Sequence, residues 1–411
     1  MKDLSIEDYD YNLPAEKIAS HPLAERDLSK LLIYDNGDLT EDVYRNLAAH
    51  IPEDSLMVFN NSRVIEARLI FSKPSGGKIE IFCLEPVAEC GQVQVALNRT
   101  RDVSWTCLIG GASKWKPGQV LHKPFLHGDR GLVLNASFVS RSSEAFVIRF
   151  TWDSDELSFA EVLHQTGSMP LPPYIKRAAE ISDLTRYQTI YADEAGSVAA
   201  PTAGLHFTAG MMTSIKERNI KQAFVSLHVG AGTFKPVKAS RMEDHEMHAE
   251  LIDVDLDSLK HITAFTGKHI TAVGTTSMRT IESLYWMGIK VLANPSIKTS
   301  ELPISQWFAY ENGNAVASPS EALSALQKWM LNQHQDRLIT KTQLLIGPGY
   351  RFRVANALVT NFHQPKSTLL LLVAALAGKN WRKIYDYALN HDYRFLSYGD
   401  GCLIRIMSYE L

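Results

Sequence analysis

Hydrophobic residues gather in short runs along the chain, separated by polar stretches. Residues 31–34 and 56–59 are continuous apolar runs of the length typical of buried strands. Residues 41–50 place Val43 and Leu47 four positions apart, which predicts a short helix. The first 66 residues therefore predict a mixed α/β structure.

The pattern changes between residues 67 and 152, where short β-type runs recur at close spacing: 79–84, 93–97, 105–109, 131–134 and 145–150. Turn-forming residues separate them, including Ser75-Gly76-Gly77, Gly110-Gly111 and Lys116-Pro117-Gly118. This rhythm is typical of a small antiparallel barrel or sandwich. We therefore predict a mixed α/β main domain, residues 1–66 plus 153–411, with an inserted small antiparallel β-barrel domain at residues 67–152.

After residue 152 the α/β pattern returns. Helical spacing predicts helices at residues 157–164 and 320–332, the second through Leu323, Leu326 and Met330. Apolar runs at 222–228 and 269–273 predict buried strands. The proline-rich stretch at 169–174 favours an extended segment, because proline lacks an N–H group and restricts the residue before it.

Composition narrows the class of protein. The chain has 411 residues, of which 45% are hydrophobic and 21% charged; it is too long for one core and too apolar for a disordered chain. A formal net charge of −3 argues against a protein that coats nucleic acid, although a local basic groove remains compatible with it. The four cysteines form no CxxC pair, which gives no support to a zinc knuckle or a redox dithiol and fits a reducing compartment.

The sequence predicts neither a signal peptide nor a membrane-spanning helix. The first ten residues hold four acids and no apolar core, unlike a signal peptide. The longest apolar run, residues 369–377, has nine residues and is too short to span a bilayer. We expect a soluble, cytoplasmic and monomeric protein with no membrane partner.

Candidate chemistry lies in short polar loops, and the first of these covers residues 199–208. Its small residues allow the backbone to approach a ligand closely. His206 adds a nitrogen that can titrate near neutral pH. The alternative is a helix cap with a packed histidine.

The second loop, residues 228–234, follows a predicted strand and contains His228. Gly230 and Gly232 beside Thr233 can direct backbone N–H groups at an anion or a ribose. The loop is unlike a dinucleotide-binding loop, because it lacks the third glycine. A plain strand turn is the alternative.

The third segment, residues 245–250, holds His245 and His248 three positions apart. That spacing differs from HExxH, in which the two histidines lie four apart on one helix face. His228 could supply a third ligand, but we expect no metal and interpret these histidines as structural or substrate-binding.

In the fourth segment a predicted strand ends at Gly274, and the hydroxyls of Thr275 and Thr276 fall where a helix would begin. Unpaired N–H groups at such a helix start bind carboxylates and phosphates. Arg279 can add a two-pronged contact to a carboxylate, or it can form a buried ion pair with Glu282 or another acid. The alternative is that these hydroxyls only cap the helix and bind no ligand.

A similar design recurs near the C-terminus. The loop after a predicted strand carries Asn361, His363, Lys366 and Ser367. Pro365 suits the first turn of an apolar helix, which Gly378 would close. A solvated helix cap is the alternative for Lys366 and Ser367.

Taken together, these segments resemble the S-adenosylmethionine:tRNA ribosyltransferase-isomerase family of queuosine biosynthesis. The resemblance covers almost the whole chain and includes the loops above together with Tyr11-Asn12-Leu13-Pro14, Arg26-Asp27, Phe59-Asn60-Asn61-Ser62-Arg63-Val64-Ile65, Gly76-Gly77-Lys78-Ile79-Glu80, Tyr187-Gln188-Thr189 and Tyr398-Gly399-Asp400. It implies that the protein donates the ribosyl carbons of S-adenosylmethionine to 7-aminomethyl-7-deazaguanine at the wobble position of tRNA. Epoxyqueuosine-tRNA, adenine and methionine would be the products.

The resemblance also implies roles for the candidate residues. The sulfonium acidifies a ribose C–H, so the reaction needs a general base and a proton for the leaving adenine, and histidine suits both tasks. The catalytic candidates are His206, His228, His248 and His363. The candidates for S-adenosylmethionine, which is a consumed cosubstrate and not a prosthetic group, are Gly230, Gly232, Thr233, Thr275, Thr276 and Arg279. The candidates for the acceptor base or tRNA are Asn61, Arg63, Tyr187, Gln188, Asn361 and Lys366. Lys176-Arg177 and Arg351 with Arg353 are further basic pairs that could follow the tRNA backbone, or simply form solvated surface.

Several positions depart from the family pattern. Gln364 replaces an aliphatic residue, Asn61-Ser62 replaces Asp-Thr, and residues 288–342 match poorly. Two other classes of protein remain open from the residues alone. One is a metal-dependent hydrolase that uses His228, His245 and His248, and the other is a non-catalytic RNA-binding protein, which the absence of RRM, KH and zinc-knuckle signatures disfavours.

Overall fold

A computed structural model of the chain describes residues 2–405, apart from 74–75, 117, 143–144, 231–236, 238, 240 and 315–316. The strands are β1 (Lys30–Asp35), β2 (Asp38–Val43), β3 (Leu56–Asn60), β4 (Ser62–Val64), β5 (Arg68–Ser72), β6 (Lys78–Pro86), β7 (Asp102–Gly110), β8 (Leu121–His127), β9 (Arg130–Arg141), β10 (Phe146–Trp152), β11 (Glu194–Ser197), β12 (Lys221–His228), β13 (Glu250–Asp255), β14 (Ile270–Val273), β15 (Arg337–Thr342), β16 (Ala357–Asn361) and β17 (Gly401–Arg405).

The α-helices are α1 (Val93–Leu97), α2 (Phe159–Thr166), α3 (Asp183–Arg186), α4 (Ala209–Glu217), α5 (Leu256–Ala264), α6 (Thr275–Ala293), α7 (Phe308–Glu311), α8 (Pro319–Asn332), α9 (Thr368–Ala377) and α10 (Trp381–Asn390). Short 3₁₀ helices include Tyr44–His50 and Thr202–His206. Within the described residues, no helix combines the length and the apolar character needed to cross a membrane.

The larger sheet has nine strands in the order β15-β13-β12-β3-β14-β16-β17-β1-β2. Its centre is parallel: β3 pairs in parallel with β12 on one side and with β14 on the other, and β14 pairs in parallel with β16. Both faces are covered, which is the usual condition for parallel strands. Along β3, Leu56 and Val58 face the cluster that contains α5, α6 and α8, whereas Met57 and Phe59 face the cluster that contains α4.

The carboxyl ends of the parallel strands bring distant loops together. β12, β14 and β16 end at His228, Val273 and Asn361, and their following loops therefore meet at one edge of the sheet. In open α/β sheets, this edge is where ligands bind.

The smaller sheet has six antiparallel strands in the order β5-β6-β7-β10-β9-β8. It curls until its two edge strands approach each other, and Lys123 Nζ on β8 donates a hydrogen bond to the carbonyl of Ile70 on β5 at 2.9 Å. The chain is thus a mixed α/β structure with a nearly closed six-stranded antiparallel barrel, as the sequence predicts.

Helix α2 belongs physically to this barrel. Phe159 packs against Trp105 and Trp152, with ring centroids 5.6 and 5.7 Å apart, and Val162 and Leu163 lie in the same buried cluster. The chain enters the barrel at Arg68 and leaves α2 at Ser168, and these two residues are joined by backbone hydrogen bonds.

Most predicted elements are confirmed, but two are wrong. Residues 93–97 form helix α1 instead of a strand, because Ala96 and Leu97 are buried on one side while Val95 is 54% exposed, a helical and not an alternating pattern. Residues 41–43 belong to the edge strand β2, and the helix begins only at Tyr44. The sequence also missed β5 and β8, the two edge strands of the barrel; Pro124 of β8 is tolerated because it lies at a sheet edge.

Candidate active site

A cavity lies at the carboxyl edge of the parallel strands. The loops after β12, β14 and β16 contribute Val229, the segment from Gly274 to Thr276, and the segment from Thr360 to Gln364. The loop before the 3₁₀ helix Thr202–His206 adds Ala199, Ala200 and Pro201. Further lining residues are Tyr174, Tyr187, Thr202, Ala203, Glu250, Arg279, Ser367, Leu369, Leu396 and Ser397.

The start of α6 opens onto this cavity. Gly274 precedes the helix with φ 88°, a conformation that favours glycine, and it offers no side chain to cap the first turn. The nearby hydroxyls do not cap it either, because Ser277 Oγ donates back to the carbonyl of Val273 at 2.8 Å. Thr276 Oγ1 is buried and makes no hydrogen bond within the described part of the chain. Amide groups and a free hydroxyl at a helix start suit an anionic ligand group.

Arg279 lies one turn further along α6 and is 5% exposed. Its Nη1 donates to Glu250 Oε2 at the start of β13, and its Nε donates to the carbonyl of Leu344 at 3.1 Å. Its remaining nitrogen, Nη2, is buried with no hydrogen-bond partner among the described residues. Arg279 therefore forms a buried ion pair, as one of the two sequence interpretations has it, and it also lines the cavity.

The acid in that pair is not Glu282. Glu282 is fully buried and accepts hydrogen bonds from Tyr350 Oη at 2.8 Å and from the backbone N–H of Val354 at 2.9 Å, among others. Burial raises the pKa of its carboxyl group, although these hydrogen bonds oppose that shift. Glu282 thus joins α6 to the segment that precedes β16.

Asn361 lines the cavity, and hydrogen bonds fix the orientation of its side-chain amide. Thr202 Oγ1 donates to Asn361 Oδ1 at 2.7 Å, and Asn361 Nδ2 donates to His206 Nε2 at 3.2 Å. His206 itself does not line the cavity; it is buried behind Asn361 and stacks on Tyr44, with ring centroids 4.2 Å apart. Burial lowers the pKa of His206 to about 4, so the ring is neutral at pH 7.

His363 lines the cavity directly. Its Nε2 shares a hydrogen bond of 2.8 Å with Thr360 Oγ1, another lining residue. Tyr385 and Tyr11 hold its backbone: the Tyr385 hydroxyl accepts from the His363 N–H at 2.9 Å, and the Tyr11 hydroxyl donates to its carbonyl. Burial lowers the pKa of His363 to about 3, which leaves a neutral imidazole facing the cavity.

The other two predicted catalytic histidines lie outside the lining of this cavity. His228 ends β12 and is buried beside Gly196; its Nδ1 has no hydrogen-bond partner within the described residues, and burial lowers its pKa. His248 is exposed on the segment before β13. Among the described residues, no three His, Cys, Asp or Glu side chains form a group that could hold a metal ion.

The predicted acceptor and tRNA residues are spread more widely. Tyr187 is fully buried and lines the cavity. Asn61 accepts a hydrogen bond of 2.7 Å from Ser226 Oγ, and Arg63 is exposed on β4. Gln188 uses both ends of its amide on the backbone of Val64, at 2.7 and 3.1 Å.

Lys366 is held away from the cavity by two acids of the N-terminal segment. Its Nζ lies 2.7 Å from Glu7 and 3.0 Å from Asp10. It follows Pro365, which lies before the first turn of α9 and not in it, because the helix begins at Thr368 with Ser367 as its N-cap. Gly378 ends the helix with φ 56°, as predicted.

Two of the four further basic residues are engaged within the fold. Arg177 forms a two-pronged contact with Asp183, at 2.7 and 2.8 Å. The guanidinium of Arg353 lies over the ring of Trp286 at 5.7 Å. Lys176 and Arg351 are exposed.

The structure describes only part of the second predicted loop. Gly230 is described and lies after β12, where a Cβ would meet nothing within 4 Å. Gly232 and Thr233 lie outside the described residues.

Sequence reasoning missed several cavity residues, above all Glu250. In the segment that contains it, only His245 and His248 are recognisable from the sequence as candidate ligands. Tyr174 and Ser397, whose hydroxyls are 2.6 Å apart, were also missed. The available signal is a carboxylate that directly precedes the apolar residues Leu251 and Ile252.

Comparisons with known proteins cover nearly the whole chain. The model of a family described as queuosine biosynthesis protein matches residues 6–404. The S-adenosylmethionine:tRNA ribosyltransferase-isomerase of Geotalea uraniireducens (strain Rf4) is 36% identical over 412 residues, which cover 98% of this chain and 100% of that protein. The protein of the same name from Azoarcus sp. (strain BH72) is 38% identical over 405 residues, which cover 98% of this chain and 97% of that protein.

A solved structure is also similar to the chain. The crystal structure of S-adenosylmethionine tRNA ribosyltransferase from Thermotoga maritima is 27% identical, with a TM-score of 0.45, and the match covers 96% of this chain and 99% of that one.

Proposed function

The chain belongs to the queuosine biosynthesis protein family, and we propose that it transfers and isomerises the ribosyl moiety of S-adenosylmethionine onto 7-aminomethyl-7-deazaguanine at the wobble position of tRNA. The products are epoxyqueuosine-tRNA, adenine and methionine. The single observation that carries this proposal is the similarity to ribosyltransferase-isomerases over the full length of both chains, at 36% and 38% identity. Neither a metal-dependent hydrolase nor a non-catalytic RNA-binding protein is supported.

The cavity offers the groups that this reaction needs. The sulfonium of S-adenosylmethionine acidifies the adjacent ribose C–H, and a base must remove that proton. His363 is our candidate by position, because its imidazole lies on the cavity wall and Thr360 holds one of its ring nitrogens. His206 acts through Asn361 as a positioning residue, since Asn361 stands between it and the cavity.

The start of α6 is our candidate subsite for the methionine carboxylate. Its uncapped first turn, Thr276 Oγ1 and the free Nη2 of Arg279 are donors without partners among the described residues. A carboxylate there would satisfy buried groups that are otherwise unpaired. Tyr187 is the candidate for a contact with the acceptor base at the cavity wall, and exposed Arg63 is a candidate for a tRNA phosphate.

The reaction can be tested with three components: the protein, S-adenosylmethionine and tRNA that carries the aminomethyl-deazaguanine. Mass spectrometry should show the ribose-derived mass on the tRNA, with adenine and methionine released in equal amounts. The control is the same tRNA with guanine at the wobble position, which lacks the aminomethyl group and should remain unchanged. Methylated tRNA together with S-adenosylhomocysteine would refute the proposal.

A further inference from the structure

Glu250 and Arg279 form a buried pair of opposite charges on the wall of the cavity. Glu250 is 6% exposed and Arg279 is 5% exposed, and both line the cavity. They come from different elements, the first residue of β13 and the second turn of α6. A buried ion pair stabilises a fold only weakly, because burying two charges carries a large desolvation penalty. Its position on a cavity wall therefore suggests a function in binding.

The pair has binding capacity left over. Arg279 uses Nη1 on Glu250 and Nε on the carbonyl of Leu344, but Nη2 has no hydrogen bond in the described part of the structure. Glu250 meets Arg279 through Oε2, and a carboxylate with two oxygens can accept several hydrogen bonds. Both residues line the cavity, so its wall carries one unused donor and one carboxylate with spare acceptor capacity, and the hydroxyl of Thr276, which has no partner among the described residues, is on the same helix as Arg279.

These leftover groups fit a zwitterion better than a single charge. A lone cation would compete with Arg279 for Glu250 and leave Nη2 unsatisfied. A lone anion would compete with Glu250 for Arg279 and weaken the pair. An ammonium and a carboxylate on one carbon atom can meet Glu250 and Arg279 at the same time. The four groups then alternate in charge, which adds favourable contacts without adding net charge.

We infer that Glu250 and Arg279 together bind the α-amino acid group of S-adenosylmethionine, with Glu250 accepting from the α-ammonium and Arg279 Nη2 donating to the α-carboxylate. Glu250 is then a specificity-determining residue for the cosubstrate. The inference rests on the proposed function, and it adds a partner for the ammonium to the subsite suggested for the carboxylate. In the competing assignment, Glu250 accepts a hydrogen bond from the aminomethyl group of the acceptor base, and its loss would then affect the modified tRNA and not the cosubstrate.

The test compares S-adenosylmethionine with two analogues, one lacking the α-amino group and one lacking the α-carboxyl group. Calorimetry would measure their affinities in the presence of an anticodon stem-loop with guanine at the wobble position, which cannot react. The variants are Glu250→Gln, which keeps the size of the side chain, and Asp253→Asn as the matched control. Asp253 is a buried acid on the same strand, paired with Arg337 at 2.8 Å, and it does not line the cavity.

Wild-type protein should bind S-adenosylmethionine about ten- to a hundredfold more tightly than the analogue without the amino group, the range typical of a charge-assisted hydrogen bond. In Glu250→Gln this ratio should fall to about one, while the preference over the analogue without the carboxyl group remains. Asp253→Asn should keep both preferences. Arg279→Lys provides a second, independent variant: it keeps the charge but loses the forked donor, so it should reduce the preference for the carboxyl group.

An unchanged amino-group preference in a folded Glu250→Gln protein would overturn the inference. So would an equal loss of affinity for all three compounds, because Glu250 would then serve only to maintain the shape of the cavity. Normal cosubstrate discrimination combined with a raised KM for the modified tRNA alone would assign Glu250 to the acceptor amine. Each of these results leaves the proposed function standing, whereas a wild-type protein that binds none of the three compounds would overturn both.

Discussion

The side-chain amide of Asn361 donates a hydrogen bond of 3.2 Å to Nε2 of His206. Nε2 is therefore the acceptor, and the ring proton resides on Nδ1, which points to the carbonyl of Arg26 at 3.4 Å. Protonation of Nε2 would place two N–H donors opposite each other, one on His206 and one on Asn361. The hydrogen bond that orients Asn361 in the cavity would then be lost. The neutral state of His206 is thus part of how the cavity is built.

The first prediction concerns stability against acid. The pKa of His206 is about 4 in the folded protein and about 6.5 when unfolded, so the unfolded chain binds the extra proton between these values. The contribution of neutral His206 to the free energy of unfolding is complete above pH 6.5 and is lost as the pH falls towards 4. At about 1.36 kcal/mol per pKa unit, this amounts to about 3 kcal/mol.

Denaturant unfolding at pH values from 4.5 to 7.5 would measure this effect. The variant His206→Gln should show a shallower decline of unfolding free energy with falling pH than the wild type. His122→Gln, which changes an exposed histidine on β8, is the control and should follow the wild type. Identical slopes for wild type and His206→Gln would contradict the prediction.

The second prediction separates the candidate histidines by activity. His363 lines the cavity, whereas His248 is exposed and does not. Loss of a positioned acid–base group typically lowers kcat by about a hundred- to ten-thousandfold. We expect His363→Gln to fall in that range and His248→Gln to stay within about threefold of the wild type, measured as adenine release at saturating substrates. A His363→Gln protein with nearly wild-type activity would remove His363 from its assigned role.

The loops of the cavity could be predicted from the sequence because their signals are local. Gly274 with Thr275 and Thr276, and Asn361 with His363, follow apolar runs that form parallel strands, and parallel strands deliver their following loops to one edge. The barrel was visible for the same reason, since turn residues separate its strands at short intervals.

The residues that pair across the fold could not be predicted in this way. Glu250 and Arg279 are 29 positions apart, and nothing in either segment specifies their contact. His206 and His363 occur in similar polar loops, yet one packs behind Asn361 and the other faces the cavity. That difference depends on tertiary packing around Tyr44, which no local pattern records.

The third prediction concerns the crossing of α6 and α8. A Cβ on Gly288 would lie 2.2 Å from the carbonyl oxygen of Ala322, so the helices would have to separate. Overpacking of this kind typically costs about 1–3 kcal/mol. Gly288→Ala should therefore lower the thermal midpoint.

Gly210→Ala is the matched control for that substitution. Gly210 is also helical, but its added Cβ would come no closer than 3.8 Å to Thr208 Oγ1. Alanine is a better helix former by about 0.5–1 kcal/mol, so this variant should melt at or above the wild-type temperature. A Gly288→Ala protein as stable as Gly210→Ala would show that the helix crossing adapts without strain.

The fourth prediction concerns metal dependence. The histidine spacing in the sequence disfavours a metal site, and the proposed proton transfers use side chains alone. Activity should therefore survive a strong chelator, provided that the tRNA is folded beforehand and its magnesium requirement is controlled with a short stem-loop substrate. Stoichiometric zinc in active protein, or loss of activity that zinc restores, would contradict this expectation.

The last prediction concerns the barrel as a separate folding unit. The sequence predicts an inserted domain at residues 67–152, but the packing of Phe159, Val162 and Leu163 in the barrel core argues for a longer unit. Its ends are well placed for insertion, because Arg68 and Ser168 are hydrogen-bonded to each other where the chain enters and leaves.

We expect a fragment of residues 66–168 to fold alone with a cooperative thermal transition. A fragment of residues 66–152 should melt at a lower temperature or not cooperatively, since it exposes the aromatic surface of Trp105 and Trp152 that Phe159 covers. Removal of a large buried aromatic side chain typically costs about 3–5 kcal/mol, and the shorter fragment loses the whole helix.

Circular dichroism melts of the two fragments make the comparison. Equal transitions would restrict the unit to the strands, whereas two unfolded fragments would show that the barrel depends on the main sheet for its stability.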